Sequence, residues 1–458
     1  MPSTTQQPAR PRVVIVGAGF GGLMAARGLR HAPMDILLLD RTNHHLFQPL
    51  LYQVATGILA PGEIAPPVRK IMRRAANTRF ELGDVTEIQL DHRAVTVCGP
   101  DGRTRQVPYD YLIVAAGAQD TYFGHDEWAA HLYPMKTLAH ALRLREQILL
   151  AYEYAANCTD VAEQKRWMTF AIVGAGPTGV ELAGQLATLC EELRPEFDQI
   201  DPTCSRIVLI DALDELLTSF PETLRTHAKD RLRSLGVDIA LGAKVTDVDT
   251  NGITITTKDG PSERIETHTA IWAAGVRASP LAAALATDAE VDGKGRVRVR
   301  PDCSVPGHPE VFAIGDLANL DDLPGLCEPA MQQGSHVAKT LRRRVSGKSE
   351  PTAFAYRDLG TTATISGKDA IANVFGVKLH GLLGKLAWAL VHIAFLVGWG
   401  NRAGVLVRWL FLGITRTRPE RMIVTALDHR APDPTSPDST APSTPSTHKR
   451  ESNAGASR

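Results

Sequence analysis

The 458-residue chain lacks most of the features that would make its class easy to read. It has no net charge, with 50 Lys plus Arg against 50 Asp plus Glu, so no global field steers it to nucleic acid. Its six cysteines, Cys98, Cys158, Cys190, Cys204, Cys303 and Cys327, form no C-x-x-C or similarly close pair. That spacing argues against a zinc site, a redox-active disulfide and a disulfide framework, and predicts ordinary thiols and no metal. No run of 18 apolar residues occurs, so no segment is expected to span a bilayer as one helix. Residues 1–11 are polar and are expected to form a floppy leader rather than a secretory signal. Residues 431–458 are rich in Pro, Ser and Thr with almost no large apolar residue, and are expected to be a disordered tail.

What the chain does contain is two glycine-rich fingerprints, each behind its own apolar strand. The first is RVVIVGAGFGG, from Arg12 to Gly22; the second is FAIVGAGPTGVELAG, from Phe170 to Gly184. One such motif is weak evidence. Two, each in strand–turn–helix context, predict two dinucleotide sites. Gly17 and Gly174 are expected to make the tight turn. Gly19 and Gly176 would let backbone approach a pyrophosphate, and Gly22 and Gly179 would allow close helix–strand packing. Thr178 lies in the second loop and joins the expected nucleotide contacts. Two dinucleotides on one chain suggest electron transfer between them.

Each fingerprint is followed by a strand that ends in an acid, Asp40 in the first unit and Asp211 in the second. A carboxylate there can accept hydrogen bonds from ribose hydroxyls and repels a 2′-phosphate. No cation follows Asp211 in IDALDELL, so the second site is expected to prefer NADH to NADPH. Asp316, after VFAIG, could face a polyol or cap a helix. Gly117 and Gly275, in the turns AAGA and AAGV, would let backbone lie against a cofactor. Glu181 falls on the first turns of the second fingerprint helix, either as a partner of the helix dipole or near the reacting rings.

The 157-residue separation of Gly17 and Gly174 predicts one nucleotide domain inserted in another. The expected division is 12–136 and 277–354 for the first domain, 137–276 for the second, and 355–430 for a membrane-associating region. Within the last, LHGLLGKLAWALVHIAFLVGWGNRAGVLVRWLFLGI (379–414) reads as two amphipathic halves broken at GWGNR. Leu382, Leu386, Ile393 and Val397 would share one face, and Lys385 and His392 another. Seven Lys or Arg and one acid, Glu420, lie between Lys378 and Arg421. Lys378, Arg402, Arg408, Arg416 and Arg418 are expected to meet anionic head groups.

The combination GAGFGG, HLFQPLLYQVATG (45–57), GAGPTGVELAG, AIGD and EPAMQQGSHVAK (328–339), with an aromatic amphipathic C-terminal region, resembles the type II NADH:quinone oxidoreductases over about 12–425. The resemblance implies an α/β fold of two Rossmann-like domains, FAD in the first and NADH in the second. It further implies electron delivery to a membrane quinone without proton pumping, by a peripheral protein on the cytoplasmic membrane face. Partners would be NADH, the quinone, the bilayer surface and, as an open option, a second copy in a homodimer. By position, Gly17, Gly19, Gly21, Gly22, Asp40 and Asp316 match FAD contacts, and Gly174, Gly176, Gly179 and Asp211 match NADH contacts. Glu181 matches an acid near the two rings, and Ala330 and Gln333 fall in the stretch against flavin and quinone. Where the family commonly has Gln, this chain has Glu328, which makes Glu328 a second candidate catalytic residue beside Glu181. Alternatives on the same architecture are a sulfide:quinone or disulfide reductase, disfavoured by the scattered cysteines, and a membrane-attached FAD/NADH redox sensor.

Overall fold

A computed structural model describes residues 10–258, 260–286, 289–348 and 353–424. Most of the expected leader, and all of the expected disordered tail, lie outside these residues.

Two parallel sheets carry the two fingerprints. The first has six strands in the order Ser304–Val305, His308–Ala313, Tyr111–Val114, Arg12–Val16, Asp35–Asp40, Thr78–Leu82, parallel except at the short outer strand. The second has five parallel strands in the order Val237–Leu241, Arg206–Asp211, Thr169–Val173, Thr269–Trp272, Tyr133–Pro134. The first sheet is completed only by strands after residue 300, so the chain leaves it, builds the second sheet, and returns. In both, the fingerprint strand is buried on both faces, which is why it reads as an unbroken apolar run. Val13 and Ile15 face one core and Val14 and Val16 the opposite one, as a period of two requires. Phe170 and Ile172 are divided from Ala171 and Val173 in the same way.

Antiparallel ribbons flank these sheets, including the hairpin of Ala94–Cys98 and Thr104–Pro108 that turns at Asp101–Gly102. The helical pattern expected over about 137–166 is split. Leu138–Asn157 is capped by Thr137, and Val161–Trp167 begins afresh with Asp160 accepting from the Ala162 amide at 2.9 Å.

After a three-stranded ribbon (Thr361–Thr364, Ala370–Val374, Val377–Leu379) come the helices Gly381–Phe395 and Trp399–Thr415. Among the described residues no helix is long and apolar enough to cross a membrane. The first helix is inside out relative to a soluble one. Leu382, Leu386 and Leu390 are 59–72 % exposed, whereas Trp388 and His392 are buried. Leu382 and Leu386 do share an outer face, but Ile393 is packed against the core, and Val397, beyond the helix end, packs on the first domain's core.

The expectation for the cations is corrected in part. Arg418 is 1 % exposed and paired to Glu192 at 3.2 Å. Arg408 lies 3.6 Å from Glu63 and 3.7 Å from Glu420. Arg402 donates to the carbonyls of Leu396 and Ala394. Local carboxylates and carbonyls satisfy these groups, so of the five cations Lys378 and Arg416 stay exposed.

Candidate functional site: two nucleotide loops and a buried polar chain

The two fingerprint loops have nearly the same backbone. Gly17 has φ +100° and Gly174 φ +106°, and a Cβ on either would strike the carbonyl region of a neighbouring strand end, at Ala115 or Ala273. A Cβ on Gly22 or Gly179 would lie 1.8 Å from the carbonyl oxygen of Gly17 or Gly174. Around Gly19 and Gly176, by contrast, a Cβ would meet nothing within 4 Å. Bare backbone therefore faces open space at the start of the helices Phe20–Leu29 and Pro177–Leu193, where unpaired amides favour an anion. This geometry fits a dinucleotide pyrophosphate in each loop.

Asp40 and Asp211 first organise their own loops. Asp40 accepts from the Ala18 amide at 2.6 Å and the Thr42 amide at 2.7 Å. Asp211 accepts from the Ala175 amide at 2.6 Å and the Leu213 amide at 2.9 Å. Each carboxylate keeps further lone pairs for ribose hydroxyls. Gly117 (φ +67°) and Gly275 (φ +71°) sit in the turns that follow strands at the same sheet ends.

Asp316, Ala330 and Gln333 come together across some fifteen residues of sequence. Asp316 lies in the Gly315–Leu317 turn, 3.6 Å from the Lys136 ammonium. The Gln333 side-chain oxygen, buried, accepts from the Gly315 amide at 2.7 Å. Ala330 packs against Gly315, and its carbonyl oxygen lies 3.2 Å from where a Cβ of Gly21 would sit. The helix Cys327–Val345 thus covers the first fingerprint. Glu328, on its first turn, is 9 % exposed and accepts from the Tyr356 hydroxyl at 3.4 Å. Burial and the negative charge of Asp358 push its carboxyl above the usual range.

Glu181 is buried, so the helix-dipole reading alone does not describe it. Burial pushes its carboxyl up to about 8, although the Thr364 amide donates to it at 3.2 Å. Lys385 is partly covered as a residue, but its ammonium is enclosed and burial pushes it down to about 8. That ammonium donates to Thr364 Oγ1 at 2.8 Å and lies 4.0 Å from the Trp388 ring centroid. The Trp388 indole N–H, fully buried, makes no hydrogen bond, though it is near enough to Glu181 to favour the carboxylate. His392, pushed down to about 4 by burial, bonds the Trp388 carbonyl through Nδ1 at 2.7 Å.

From the other side, Trp409 donates to Gln53 Oε1 at 2.8 Å, and Gln53 donates to the Tyr52 hydroxyl at 3.0 Å. Tyr52 is buried and feels the charge of Glu181, and its phenol is held well above its ordinary value. Of this group, sequence reasoning singled out Glu181, Lys385 and His392, read Trp388 and Trp409 only as aromatic rings for a membrane interface, and missed Tyr52, Gln53 and Thr364. The signal for Tyr52 and Gln53 was present in HLFQPLLYQVATG, as a Tyr-Gln pair inside an otherwise apolar run.

All six cysteines are free, and no group of acids, histidines and cysteines among the described residues could hold a metal. The chain matches the profile of the pyridine nucleotide–disulphide oxidoreductases over residues 11–334, and it belongs to that class. Within the class it is 45 % identical over 425 residues to the type II NADH:quinone oxidoreductase Ndh of Mycobacterium tuberculosis, covering 92 % of each chain. It is 30 % identical to the Haemophilus influenzae type II NADH:quinone oxidoreductase, covering 82 % of this chain and 90 % of that one. The chain is a member of the type II NADH:quinone oxidoreductase family. Its fold is also that of the NDH2 of Plasmodium falciparum bound to NADH, with a TM-score of 0.82 at 18 % identity, over 91 % of this chain and all of that one.

Proposed function

We propose that the chain oxidises NADH and reduces a quinone, with FAD in the first fingerprint and NADH in the second. The observation that carries this reading is the pair of open pyrophosphate cradles at Gly19 and Gly176 on one chain whose family is shown. When bound, FAD supplies the two-electron chemistry between NADH and quinone. The protein's part is placement. The amides that open the helix Phe20–Leu29 hold the FAD pyrophosphate, Asp40 its ribose, and Asp316 the polyol, with Gly21 and Gly117 letting backbone come close. The amides that open Pro177–Leu193, with Thr178 and Gly275, hold NADH, and Asp211 reads its ribose. Ala330 and Gln333 form the floor against the reacting rings. Glu181, in its acid form below about pH 8, retains a proton to exchange beside the Lys385 ammonium. The division into 12–136 with 277–354, 137–276 and 355–430 follows the same functional lines, except that Tyr133–Pro134 pairs into the second sheet.

The outer face of the two C-terminal helices is the lipid-facing surface. Trp399 and Ile414 are each 83 % exposed there. Apolar exposure of this extent on paired helices too short to span suits helices lying in the plane of a bilayer surface. On this reading the protein is peripheral, on the cytoplasmic face where NADH is found, as monomer or homodimer.

The test is steady-state NADH oxidation by the FAD-loaded protein with and without a short-chain ubiquinone or menaquinone, repeated with NADPH. Quinone-dependent turnover and a kcat/KM at least about tenfold higher for NADH are expected, since Asp211 repels a 2′-phosphate. Equal values for the two nucleotides would remove Asp211 from the reading. Absence of quinone-dependent turnover would leave the slow redox sensor.

A further inference from the structure

A cavity of about 420 Å³ lies against the helix Cys327–Val345, with walls from Met24, Met331, Phe354, Leu359 and Phe395. Its volume is in the range of pockets that enclose a small-molecule ring. One end is at Glu328, a turn away from Ala330 and Gln333. Another wall is Phe395, at the end of the C-terminal helix whose leucines face outward. The cavity therefore joins Glu328, close in sequence to Ala330 and Gln333, to the first of the lipid-facing helices, and its walls mix apolar side chains with Gln332, Ser335, His336 and Lys339.

Resting on the proposed function, we infer that this cavity takes the quinone and that the Glu328 carboxyl gives it one of its two protons. The reaction balances as follows. Quinone reduction to quinol takes two electrons and two protons. Two electrons and one proton arrive as the hydride equivalent that began on NADH. The second proton leaves a Glu328 oxygen for a quinone oxygen, leaving the Glu328 carboxylate, which regains a proton from solvent through the cavity. A glutamine in this place could donate a hydrogen bond and no proton.

The groups around Glu328 set the sign of the test. The Tyr356 hydroxyl and the Leu359 amide donate to its carboxylate and favour the charged form. Asp358 on the same segment disfavours it. Cys327, on its own helix, is held neutral, its thiol pushed up to about 12 by burial and by Glu328 itself. His336 and Lys339 line the cavity farther along the helix, and Arg357 turns away over the Phe375 ring. A proton donor must be in its acid form, so quinone reduction should fall as pH rises through the Glu328 titration. Tyr356→Phe removes a donor to the carboxylate, and should move that fall to higher pH. Asp358→Asn removes a negative neighbour, and should move it to lower pH. Glu328→Gln should reduce quinone turnover on the order of tenfold, below the usual range because Glu181 and water remain as proton sources, and should erase this fall.

The experiment uses the FAD-loaded full chain and two readouts. The first is the pH profile of short-chain ubiquinone reduction by the four proteins, beside reduction of hexacyanoferrate(III), which takes up no proton. The second is the protonated-carboxyl C=O band in infrared spectra, titrated without NADH or quinone. The band in the difference between parent and Glu328→Gln should titrate later in Tyr356→Phe and earlier in Asp358→Asn. A Glu328→Gln profile that overlays the parent, or a carboxyl band that neither neighbour moves, overturns the inference. If Glu328→Gln fails to retain FAD, the opposite shifts of the other two variants decide it. A parent protein that reduces hexacyanoferrate(III) but no quinone sinks the proposed function as well; a failure confined to the variants sinks this inference alone.

Discussion

The two fingerprint loops are close copies, yet the helices that follow them are covered by different parts of the chain. Both loops have a left-handed first glycine, a third glycine pressed on the first, and an aspartate bonded 2.6 Å to the loop amide. The first helix is then covered by Cys327–Val345, so closely that a Cβ on Gly334 would lie 2.2 Å from the Gly21 carbonyl oxygen. The second is covered by the C-terminal ribbon, where a Cβ on Gly184 would lie 1.6 Å from the Ile365 carbonyl oxygen. Recognition of a dinucleotide is thus a repeated local device. The difference between the sites comes from the cover: one brings Glu328, Ala330 and Gln333, the other sets Thr364 and Lys385 over Glu181. Substitution should therefore separate nucleotide binding from reactivity.

The largest effects should come from breaking the shared device. Gly22→Ala and Gly179→Ala each force a Cβ into a backbone carbonyl that cannot move aside, a clash worth several kcal/mol. Gly22→Ala should lose bound FAD, read from the flavin absorbance of the purified protein. Gly179→Ala should keep FAD but slow flavin reduction by NADH at least about a hundredfold in stopped flow, since a pyrophosphate displaced by an ångström loses its alignment. If both variants lose flavin equally, the two loops do not serve separate nucleotides.

A smaller effect tests the cover of the second helix. Glu181 has a folded-state pKa of about 8, well above that of an exposed carboxyl. The folded protein therefore holds a proton that the unfolded chain releases. The stabilisation linked to this proton is complete below the unfolded value near 4.5 and is lost as pH rises to about 8. Lys385, lowered to about 8 from 10.5, acts with the opposite sign but only above pH 8. Glu181→Gln, which mimics the neutral acid, should gain on the parent by about 3 °C in Tm between pH 5 and pH 8. A Tm difference that does not change with pH would mean that Glu181 stays ionised when folded.

The smallest effect on chemistry should come from the outer face. Leu390→Glu with Trp399→Glu alters two residues that are 72 % and 83 % exposed. The double variant should move from the membrane to the soluble fraction on cell fractionation, with hexacyanoferrate(III) reduction within about twofold of the parent, because neither side chain packs on the core. Cutting the chain at Leu379 is a poorer test, since it would remove the buried Trp388, His392 and Val405. Continued sedimentation of the double variant with membranes at high salt would put the anchor elsewhere.

The parts of this molecule that were legible in the sequence are those written in one short stretch. The loops, their glycines, Asp40, Asp211 and Asp316 follow from strand–turn–helix patterns in which each residue's reason is a few positions away. The polar chain of Tyr52, Gln53 and Thr364, and the inward bond of Trp409 to Gln53, were not legible, because Trp409 and Gln53 are brought together from segments more than 300 residues apart. Lys385 and His392 stood out as polar residues within an apolar helix, but their direction did not. A periodic apolar face normally marks the inside of a protein, and here it marks the outside. Arg408 and Arg418 were expected at a lipid surface for the same reason. Nothing in local composition reveals that Glu63, Glu192 and the carbonyl oxygens of Thr56 and Gln185 lie within reach.

Arg418 turns the C-terminal helices from a tether into a bracket. Its guanidinium donates to the Thr56 carbonyl at the end of the short helix that carries Tyr52 and Gln53. It also donates to the Gln185 carbonyl, one turn beyond Glu181, at 3.0 Å, and it pairs with Glu192. The far end of the pair of helices is bolted to both halves of the machine, and its near end is already fixed by Lys385 and Trp388. The pair of helices is therefore held at two anchorages, one at each end.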